Sequence, residues 1–431
     1  MAFTTFALHP TLLRGVADLG FEAPTPIQTA AIPAGLEGRD VLACAMTGSG
    51  KTAAFMLPVL QRLLAGARGA TRALILTPTR ELAAQVAQHS RELGRHAGIR
   101  IASVIGGVAP GPQEQALRRG VDIVVATPGR LLDHLRAGIA RFDTLEVLVL
   151  DEADRMLDMG FIPDVRRILG YLPKRRQTLF FSATMPPPVV ALSRDMLVTP
   201  ATIDIERPAA PAVGITHAVY PVPGELKSAL LAALLEQAEL QSVLVFTRTK
   251  HRANRLTEAL ERRGIVAERI HGNRTQAQRT AALAGFKAGK FRVLVATDIA
   301  ARGIDVTGIS HVVNFDVPNV PDDYIHRVGR TARAEATGDA ITLVSPDEEA
   351  DLRAIERAIG RRLERAKLDG FDYTKRPAER FEVPIGERIA VIRARKADER
   401  ARARANAARR GGGSGSARPP ARRTSSTRAR V

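Results

Sequence analysis

The sequence predicts an α/β protein with two parallel sheets in tandem, each covered by helices, followed by a basic tail. Short apolar runs at 146–150 and 242–246 contain β-branched residues, which is typical of strands buried on both faces of a parallel sheet. Segments with helical spacing separate such runs in both halves of the chain. Since 431 residues are many for one core, two domains are expected.

The composition favours a soluble protein with a polyanionic partner. The formal net charge of +18 favours nucleic acid over a membrane as that partner. The single cysteine, Cys44, excludes a disulfide within the chain and fits a reducing compartment. The sequence has no secretory signal pattern and no apolar stretch of membrane-spanning length, so we expect a cytoplasmic protein.

A phosphate-binding loop is predicted at 45–52, between the apolar run 41–44 and a segment with apolar residues at helical spacing. In a strand, Gly-rich loop and helix arrangement, backbone N–H groups and the helix N-terminus face the phosphates. Lys51 would reach the β- and γ-phosphates, and the Thr52 hydroxyl would ligate Mg2+. Ala45 stands where the strict motif has its first glycine.

Two carboxylates, Asp151 and Glu152, directly follow the apolar run 146–150. The carboxyl ends of parallel strands are where open α/β sheets bind ligands. Asp151 would hold Mg2+ and Glu152 would orient or deprotonate an attacking water. The same four letters, 151–154, are also typical of a solvated acidic turn. The upstream phosphate loop favours the nucleotide site.

Asp-Glu-Ala-Asp at 151–154, with Ala-x-Thr-Gly-Ser-Gly-Lys-Thr at 45–52, resembles the DEAD-box family of ATP-dependent RNA helicases. The resemblance covers about residues 3–345 and implies two RecA-like domains. The segment 154–161 and the short N-terminus most resemble the bacterial RhlE-like branch.

The resemblance also implies an adenine site in the segment from Phe3 to Gln28. Gln28 would bond the adenine edge, and Phe3 or Phe21 would cover the ring, although both phenylalanines also suit core or cap packing. A side-chain amide donates and accepts together, which favours ATP over GTP. The other residues implied to bind the nucleotide are Thr47, Gly48, Ser49, Gly50, Lys51, Thr52 and, at the ribose, Asp305.

Three strand ends of the first domain carry residues that suit a sugar–phosphate backbone, although each alone is typical of a turn or helix cap. The family motifs imply an RNA track that continues into the second domain. Its members are Arg80, Gly107, Thr127, Arg130, Gly272, Arg279 and Thr297.

Ser182 and Thr184 follow the predicted strand 178–181. They suit the cap of the next helix, and the resemblance adds a role in coupling the acidic loop to the grip on RNA. It assigns His326 to the same coupling.

The second domain has no Gly-Lys-Thr of its own, so we expect it to complete one nucleotide site between the domains. Arg330 and Arg333, three residues apart, are predicted to share one helix face. They would neutralise charge on the transferring γ-phosphoryl as arginine fingers, instead of forming a solvated basic helix end. Ala332 departs from the glycine that is usual in the family.

The predicted boundaries are a first domain at 1–205, a Pro/Ala-rich linker at 206–214, a second domain at 215–365 and a basic, disordered tail at 366–431. The tail holds 18 Lys/Arg against 7 Asp/Glu. It would add salt-sensitive affinity for RNA, or act as a spacer or a docking segment for another protein.

The sequence as a whole predicts an RNA-dependent ATPase and helicase, monomeric and without a membrane partner, that binds RNA with little sequence specificity. Ribosome-assembly or RNA-decay proteins are possible partners. Two other classes remain open, an RNA clamp or annealing chaperone, and a DNA-directed helicase or non-enzymatic binder.

Overall fold

A computed structural model of the chain describes residues 2–46, 48–66, 68–205, 214–236, 240–301, 308–331 and 338–375. Within them lie two seven-stranded sheets. Every pair of neighbouring strands in both sheets is parallel. We call the elements of the first sheet and its helices lobe 1, and those of the second lobe 2.

Lobe 1 has seven strands in the order β3-β4-β2-β5-β6-β1-β7. Its strands are β1 (Val41–Cys44), β2 (Ala73–Leu76), β3 (Ile101–Val104), β4 (Ile123–Ala126), β5 (Val147–Leu150), β6 (Gln177–Ser182) and β7 (Ala201–Asp204). Its helices are α1 (Pro10–Asp18), α2 (Pro26–Leu36), α3 (Lys51–Leu64), α4 (Arg80–Leu93), α5 (Pro110–Arg119), α6 (Pro128–Arg136), α7 (Ala153–Asp158), α8 (Ile162–Leu169) and α9 (Pro187–Met196).

Lobe 2 has the order β10-β11-β9-β12-β13-β8-β14. Its strands are β8 (Ile215–Pro221), β9 (Val243–Thr247), β10 (Ala267–Ile270), β11 (Val293–Thr297), β12 (His311–Asn314), β13 (Gly338–Val344) and β14 (Glu364–Arg365). Its described helices are α10 (Lys227–Leu235), α11 (Lys250–Glu261), α12 (Gln276–Lys287), α13 (Asp298–Ala301), α14 (Pro321–Val328) and α15 (Glu349–Ile359).

The apolar runs form strands because both faces of each sheet are covered. In β5, Val147 and Val149 belong to one hydrophobic cluster, whereas Leu148 and Leu150 belong to a second cluster on the opposite face. Alternate side chains of a strand point to opposite faces, so an uninterrupted apolar run is what two cores require. The predicted fold class, two parallel α/β sheets in tandem, is confirmed.

The prediction that Arg330 lies on a helix face is wrong. Helix α14 ends at Val328 with Gly329 as its C-terminal cap, and Arg330 follows in a turn whose N–H donates to the Arg327 carbonyl. Gly329 has φ −67° and ψ 8°, so the regular helix has already ended before Arg330. Capping of the next helix by Ser182 and Thr184 is also wrong, since α9 begins after Pro186.

Several predictions fall on residues outside the described ranges. They concern Thr47, Asp305, Arg333 and Ala332, the linker at 206–213 and the tail from 376. Within the predicted tail, residues 366–375 are described. There the Ala366 N–H donates to the Val219 carbonyl, and the rings of Phe371 and Tyr373 meet edge to face. No helix of the described chain is long and apolar enough to cross a membrane.

His217 of β8 is a buried histidine whose Nδ1 lies 2.8 Å from the Tyr324 hydroxyl. Burial lowers the pKa of His217 to about 4 from 6.5, and the charge of Arg361 adds to the shift. Between these two values the unfolded chain binds a proton that the folded chain does not. The contribution of neutral His217 to the free energy of unfolding is therefore fully present above pH 6.5, and it decreases as the pH falls towards 4.

We expect the melting temperature to fall as the pH decreases from 7.5 to 5, and to fall less steeply in His217→Gln because that variant lacks the proton uptake on unfolding. Thermal melting followed by circular dichroism at each pH measures the slope. His251→Gln, at an exposed position, is the control and should keep the wild-type slope. Equal slopes in wild type and His217→Gln would contradict the prediction.

Candidate nucleotide and RNA site

The phosphate loop lies between the carboxyl end of β1 and α3. Gly48 and Gly50 adopt positive φ angles of 88° and 93°, which glycine reaches without steric cost, and Gly50 is the N-cap of α3. Lys51 is buried, and its Nζ donates to the Ala45 carbonyl at 3.0 Å. Thr52 is next in the first turn of α3. The loop therefore presents Lys51, Thr52 and a helix N-terminus at one point.

Gln28 at the start of α2 contacts the phosphate loop directly. Its Nε2 donates to the Gly50 carbonyl at 3.0 Å, and its Oε1 accepts from the Thr25 N–H at 2.9 Å in a capping box. A Cβ on Gly50 would lie 2.5 Å from Gln28 Nε2. Only glycine fits there, because the α2 start and the loop pack in contact.

The two aromatic candidates form one stack. The ring of Phe3 lies 6.1 Å from the ring of Phe21 at an angle of 28°, and Phe21 meets His89 edge to face. Phe3 is buried and Phe21 is half-buried. Phe3 therefore packs in the core, as the alternative interpretation had it. Phe21 is partly accessible and stays the candidate to cover the adenine ring.

Asp151 and Glu152 are both buried, which excludes the solvated-turn alternative. Burial raises the pKa of Asp151 well above its ordinary value, although the charge of Lys51 opposes the shift. Asp151 Oδ1 has no hydrogen-bond partner among the described residues. A buried carboxylate oxygen with no donor and the Thr52 hydroxyl are both hard oxygen ligands of the kind that Mg2+ prefers, so the residues present fit this ion.

Glu152 has a backbone conformation that non-glycine residues rarely adopt. Its φ is 55° and its ψ is 53°, and it forms the N-cap of α7. Residues in this left-handed region occur at functional sites, where the surrounding structure holds them in place. Arg155, one turn further along α7, approaches Glu152 Oε2 at 3.8 Å, and both side chains are buried.

Asp154 joins the acidic loop to the loop that follows β6. Its Oδ2 accepts from the Thr184 N–H at 2.8 Å and from Thr184 Oγ1 at 2.9 Å, while its own N–H donates to Ser182 Oγ. Burial alone would raise the pKa of Asp154, but the Thr184 hydrogen bonds and the charge of Lys51 lower it below the ordinary value. Ser182 and Thr184 are therefore bound to the acidic loop.

The RNA candidates of lobe 1 meet at one edge of the sheet. The Arg80 guanidinium lies against Gly107, where a Cβ would collide with it, and Arg130 Nη1 donates to the Val108 carbonyl at 3.2 Å. Gly107 has a φ of 77°. Thr127, at the end of β4, is buried and its N–H donates to the β3 carbonyl of Val104 at 3.0 Å.

The candidates of lobe 2 have different surroundings. Gly272 is exposed and Thr297 is half-buried at the end of β11. Arg279, on α12, instead pairs with Glu81 of lobe 1, with Nη2 at 2.8 Å from Oε2. Gln276 donates to the other Glu81 oxygen at 2.9 Å. The role of Arg279 in binding RNA stays a prediction, and its observed contact is between the lobes.

Arg327, which precedes Arg330, has a role that the sequence analysis missed. Its Nε and Nη2 donate to both oxygens of Asp298 at 2.6 and 2.7 Å, and its Nη1 donates to the Asp316 carbonyl at 2.7 Å. The fork shape of guanidinium suits such a paired contact. Arg327 thereby fixes α14 against the residue that follows Thr297.

A small pocket joins this region to lobe 1. Its lining includes Arg155 of lobe 1 and, from lobe 2, Asp298, Asp323, His326 and Arg330. The structure therefore brings His326 and Arg330 to the same pocket as the arginine that contacts Glu152.

No sequence signal marks Arg155, Glu81 or Arg327 as site residues. Each lies beside a recognisable motif, but its partner is set by the fold. The sequence feature that these three residues have in common is a charge within or next to an apolar, helix-forming segment. Many surface residues have the same feature, so it does not identify a site residue.

The family profiles match both lobes. A profile described as DEAD/DEAH box helicase matches residues 25–192, and one described as Helicase conserved C-terminal domain matches residues 226–335. The chain is 43% identical over 372 residues to the DEAD-box ATP-dependent RNA helicase CshA of Bacillus licheniformis, which covers 86% of the chain and 76% of the relative. Identity to the ATP-dependent RNA helicase CshA of Listeria monocytogenes is 44% over 370 residues, covering 86% and 71%. The RhlE-like branch stays a prediction.

Solved structures agree with these relatives. Dbp5 of S. cerevisiae bound to RNA and ADP BeF3 is similar with a TM-score of 0.77 and 30% identity, covering 85% of this chain and 95% of that chain. A DEAD box protein from Methanococcus jannaschii has a TM-score of 0.50 and 38% identity, covering 85% and 99%. The profiles, identities and structures together show that the chain belongs to the DEAD-box RNA helicase family, with two tandem RecA-like domains.

Proposed function

We propose that the protein is an ATP-dependent RNA helicase that binds single-stranded RNA along its backbone and separates duplexes locally as its two lobes close on ATP and RNA. The observation that carries this proposal is the hydrogen-bonded junction of the acidic loop with Ser182 and Thr184 beside the phosphate loop. Relatives named ATP-dependent RNA helicases and a similar structure bound to RNA and ADP BeF3 support it.

In ATP hydrolysis, each charged residue of the site has one proposed role. Lys51 neutralises the β- and γ-phosphates, and Glu152 orients the water that attacks the γ-phosphorus. The bond to the bridging oxygen breaks, which leaves ADP and phosphate. Arg330 and Arg333 stabilise the charge on the transferring group. Mg2+ held by Thr52 and Asp151 would supply further neutralisation of the phosphates.

Adenine recognition is assigned to Gln28 with Phe21, and ribose contact to Asp305. Gln28 uses one N–H and one lone pair within the protein, so its amide has a second N–H and a second lone pair for the adenine edge. Because this amide also holds Gly50, adenine binding and the phosphate loop are coupled through one side chain.

The RNA contacts are assigned to backbone groups of the nucleic acid, so the sequence preference is weak. The proposed contacts of lobe 1 form the Arg80–Gly107–Arg130 edge, and Gly272, Arg279 and Thr297 extend them. Ser182, Thr184 and His326 couple this grip to the acidic loop. We further propose a monomer located in the cytoplasm, a boundary between the lobes at 206–214, and a tail that adds RNA affinity.

Glu152→Gln should lower RNA-stimulated ATP hydrolysis by about 100-fold or more, because the attacking water loses its orienting carboxylate, and should leave RNA affinity in place. ATP hydrolysis is measured at fixed salt without nucleic acid, with single-stranded RNA, and with DNA of matching sequence. Glu37→Gln, at an exposed position, serves as the control. Equal stimulation by DNA would widen the substrate to nucleic acids in general, and absence of hydrolysis in every condition would contradict the proposal.

Arg155→Met should lower kcat of the RNA-stimulated ATPase about tenfold, equal to roughly 1.4 kcal/mol, with KM for ATP almost unchanged, because Glu152 loses the charge that holds it. Arg155→Lys should recover part of kcat. Arg167 forms a pair with Asp164 at the same three-residue spacing but on an exposed helix face, so Arg167→Met is the matched control. A raised KM with normal kcat would argue against this positioning role.

Gly107→Ala should raise the RNA concentration that half-stimulates the ATPase about fivefold, because the new Cβ displaces the Arg80 guanidinium and the φ of 77° becomes strained. ATP hydrolysis without RNA should not change. At the neighbouring Gly106 a Cβ would lie 3.4 Å from Arg80 Nη2, so Gly106→Ala should have a much smaller effect. Equal effects of the two alanines would exclude Arg80 as the cause.

A further inference from the structure

A basic groove lies on lobe 2 along α15 and just beyond its C-terminal end. Its lining includes Arg353 and Arg357 on the helix, and Arg361 and Arg362 just beyond Gly360, which caps the helix with a φ of 72°. All four arginines are exposed. We call this surface the α15 groove.

The positive charge of the α15 groove is only partly offset, since four arginines share its lining with one acid. Its one acid, Glu356, accepts from Arg365 Nη1 at 2.6 Å and from the Leu363 N–H at 2.9 Å, so it is held by the end of the sheet. None of the four groove arginines forms an ion pair with a described residue.

Two of these arginines repel one another on the surface of α15. Arg353 and Arg357 are four residues apart, so their side chains are neighbours on one face of α15. Like charges at this spacing repel one another, although the helix dipole favours positive charge near the C-terminus of α15. A bound polyanion would offset this repulsion.

The α15 groove is separate from the proposed RNA track. Helix α15 begins just after the carboxyl end of β13. It leads to β14, which pairs with β8. Gly272 and Thr297, by contrast, follow the carboxyl ends of β10 and β11. The two surfaces therefore lie at opposite edges of the sheet, since β10 and β11 form one edge and β8 and β14 form the other.

The chemistry of the α15 groove fits phosphodiesters. Guanidinium groups present a fork of donors that matches phosphate oxygens, and the lining has a single apolar residue, Ala350, so an apolar protein anchor has no pocket there. The segment that follows, 366–431, carries 18 Lys/Arg against 7 Asp/Glu, which continues the same preference along the chain.

We propose that the α15 groove is a second RNA-binding site, which holds the phosphate backbone of the substrate independently of ATP. This inference rests on RNA being the substrate, as proposed above, and it adds a site that needs no closure of the lobes. RNA held there stays attached while the cleft reopens.

The test is equilibrium binding of a fluorescent RNA hairpin with a single-stranded extension to the full-length protein, without nucleotide and across a salt series. In the variant R353Q/R357Q/R361Q/R362Q, we expect the Kd to rise about tenfold and the slope of log K against log salt to become shallower by about 3. The kcat of the ATPase at saturating RNA should remain near wild type, and the half-saturating RNA concentration should rise.

A charge-matched control replaces exposed basic residues scattered over lobe 1, R14Q/K174Q/R175Q/R194Q. An equal loss of affinity in this control would overturn the proposal, because it would reduce the effect to overall charge. Unchanged RNA affinity in the groove variant would overturn it too. A variant that no longer binds polyglutamate but keeps its RNA affinity would also overturn it, because that result indicates an acidic protein partner.

Folding of the variant is followed by its melting temperature, which should stay close to that of wild type because the four side chains are exposed. If the fourfold variant melts early, R361Q/R362Q, whose changes lie beyond the helix end, gives the same test with about half the change in salt slope. Wild-type protein that binds RNA but hydrolyses no ATP would contradict the helicase proposal alone, and the groove would still be tested by RNA affinity.

Discussion

The buried carboxylate of Asp154 is the interaction on which the site depends. Strand order places β6 between β5 and β1, so the loop after β6 lies between the acidic loop and the phosphate loop. Asp154 fills this position with hydrogen bonds from Thr184 and Ser182, and the Ala45 N–H donates to the Ser182 carbonyl at 3.0 Å. Three loops from three strands thus form one connected unit. The left-handed conformation of Glu152, which costs about 1–3 kcal/mol, is tolerated because Asp154 anchors the turn that follows it.

Contact between the lobes uses side chains next to those proposed to bind RNA. Glu81 follows Arg80 directly, and it accepts from Gln276 and pairs with Arg279 of lobe 2. The Glu81 and Arg279 side chains are both at most 10% exposed, so removing one partner would leave the other charge buried and uncompensated. Arg80, which is proposed to contact RNA, is therefore the direct chain neighbour of a residue that holds the lobes together.

The sequence predicts the parts of this architecture that follow from local rules. Apolar runs predicted β5 and β9 to within one residue, and the glycines at 48 and 50 together with Lys51 predicted the phosphate loop, because strand periodicity and positive φ act over a few residues. The pair of Gln276 with Glu81 joins positions 195 residues apart, and no local pattern encodes such a pair. The helix prediction at Arg330 failed for a local reason, since the glycine before it ends α14. Side-chain pairs of this kind follow from the fold and not from a local sequence pattern.

Several buried polar atoms without hydrogen-bond partners belong to residues of the nucleotide site and of the contact between the lobes. Among the described residues, Asp151 Oδ1, Arg155 Nη2 and Arg279 Nε all lack a hydrogen bond. Each such atom destabilises the folded chain, because it has lost water without gaining a donor or acceptor. A ligand that supplies the missing partners removes this cost. In the proposed cycle, nucleotide and RNA supply such partners, so their binding would favour the arrangement in which the lobes are in contact and their release would favour opening.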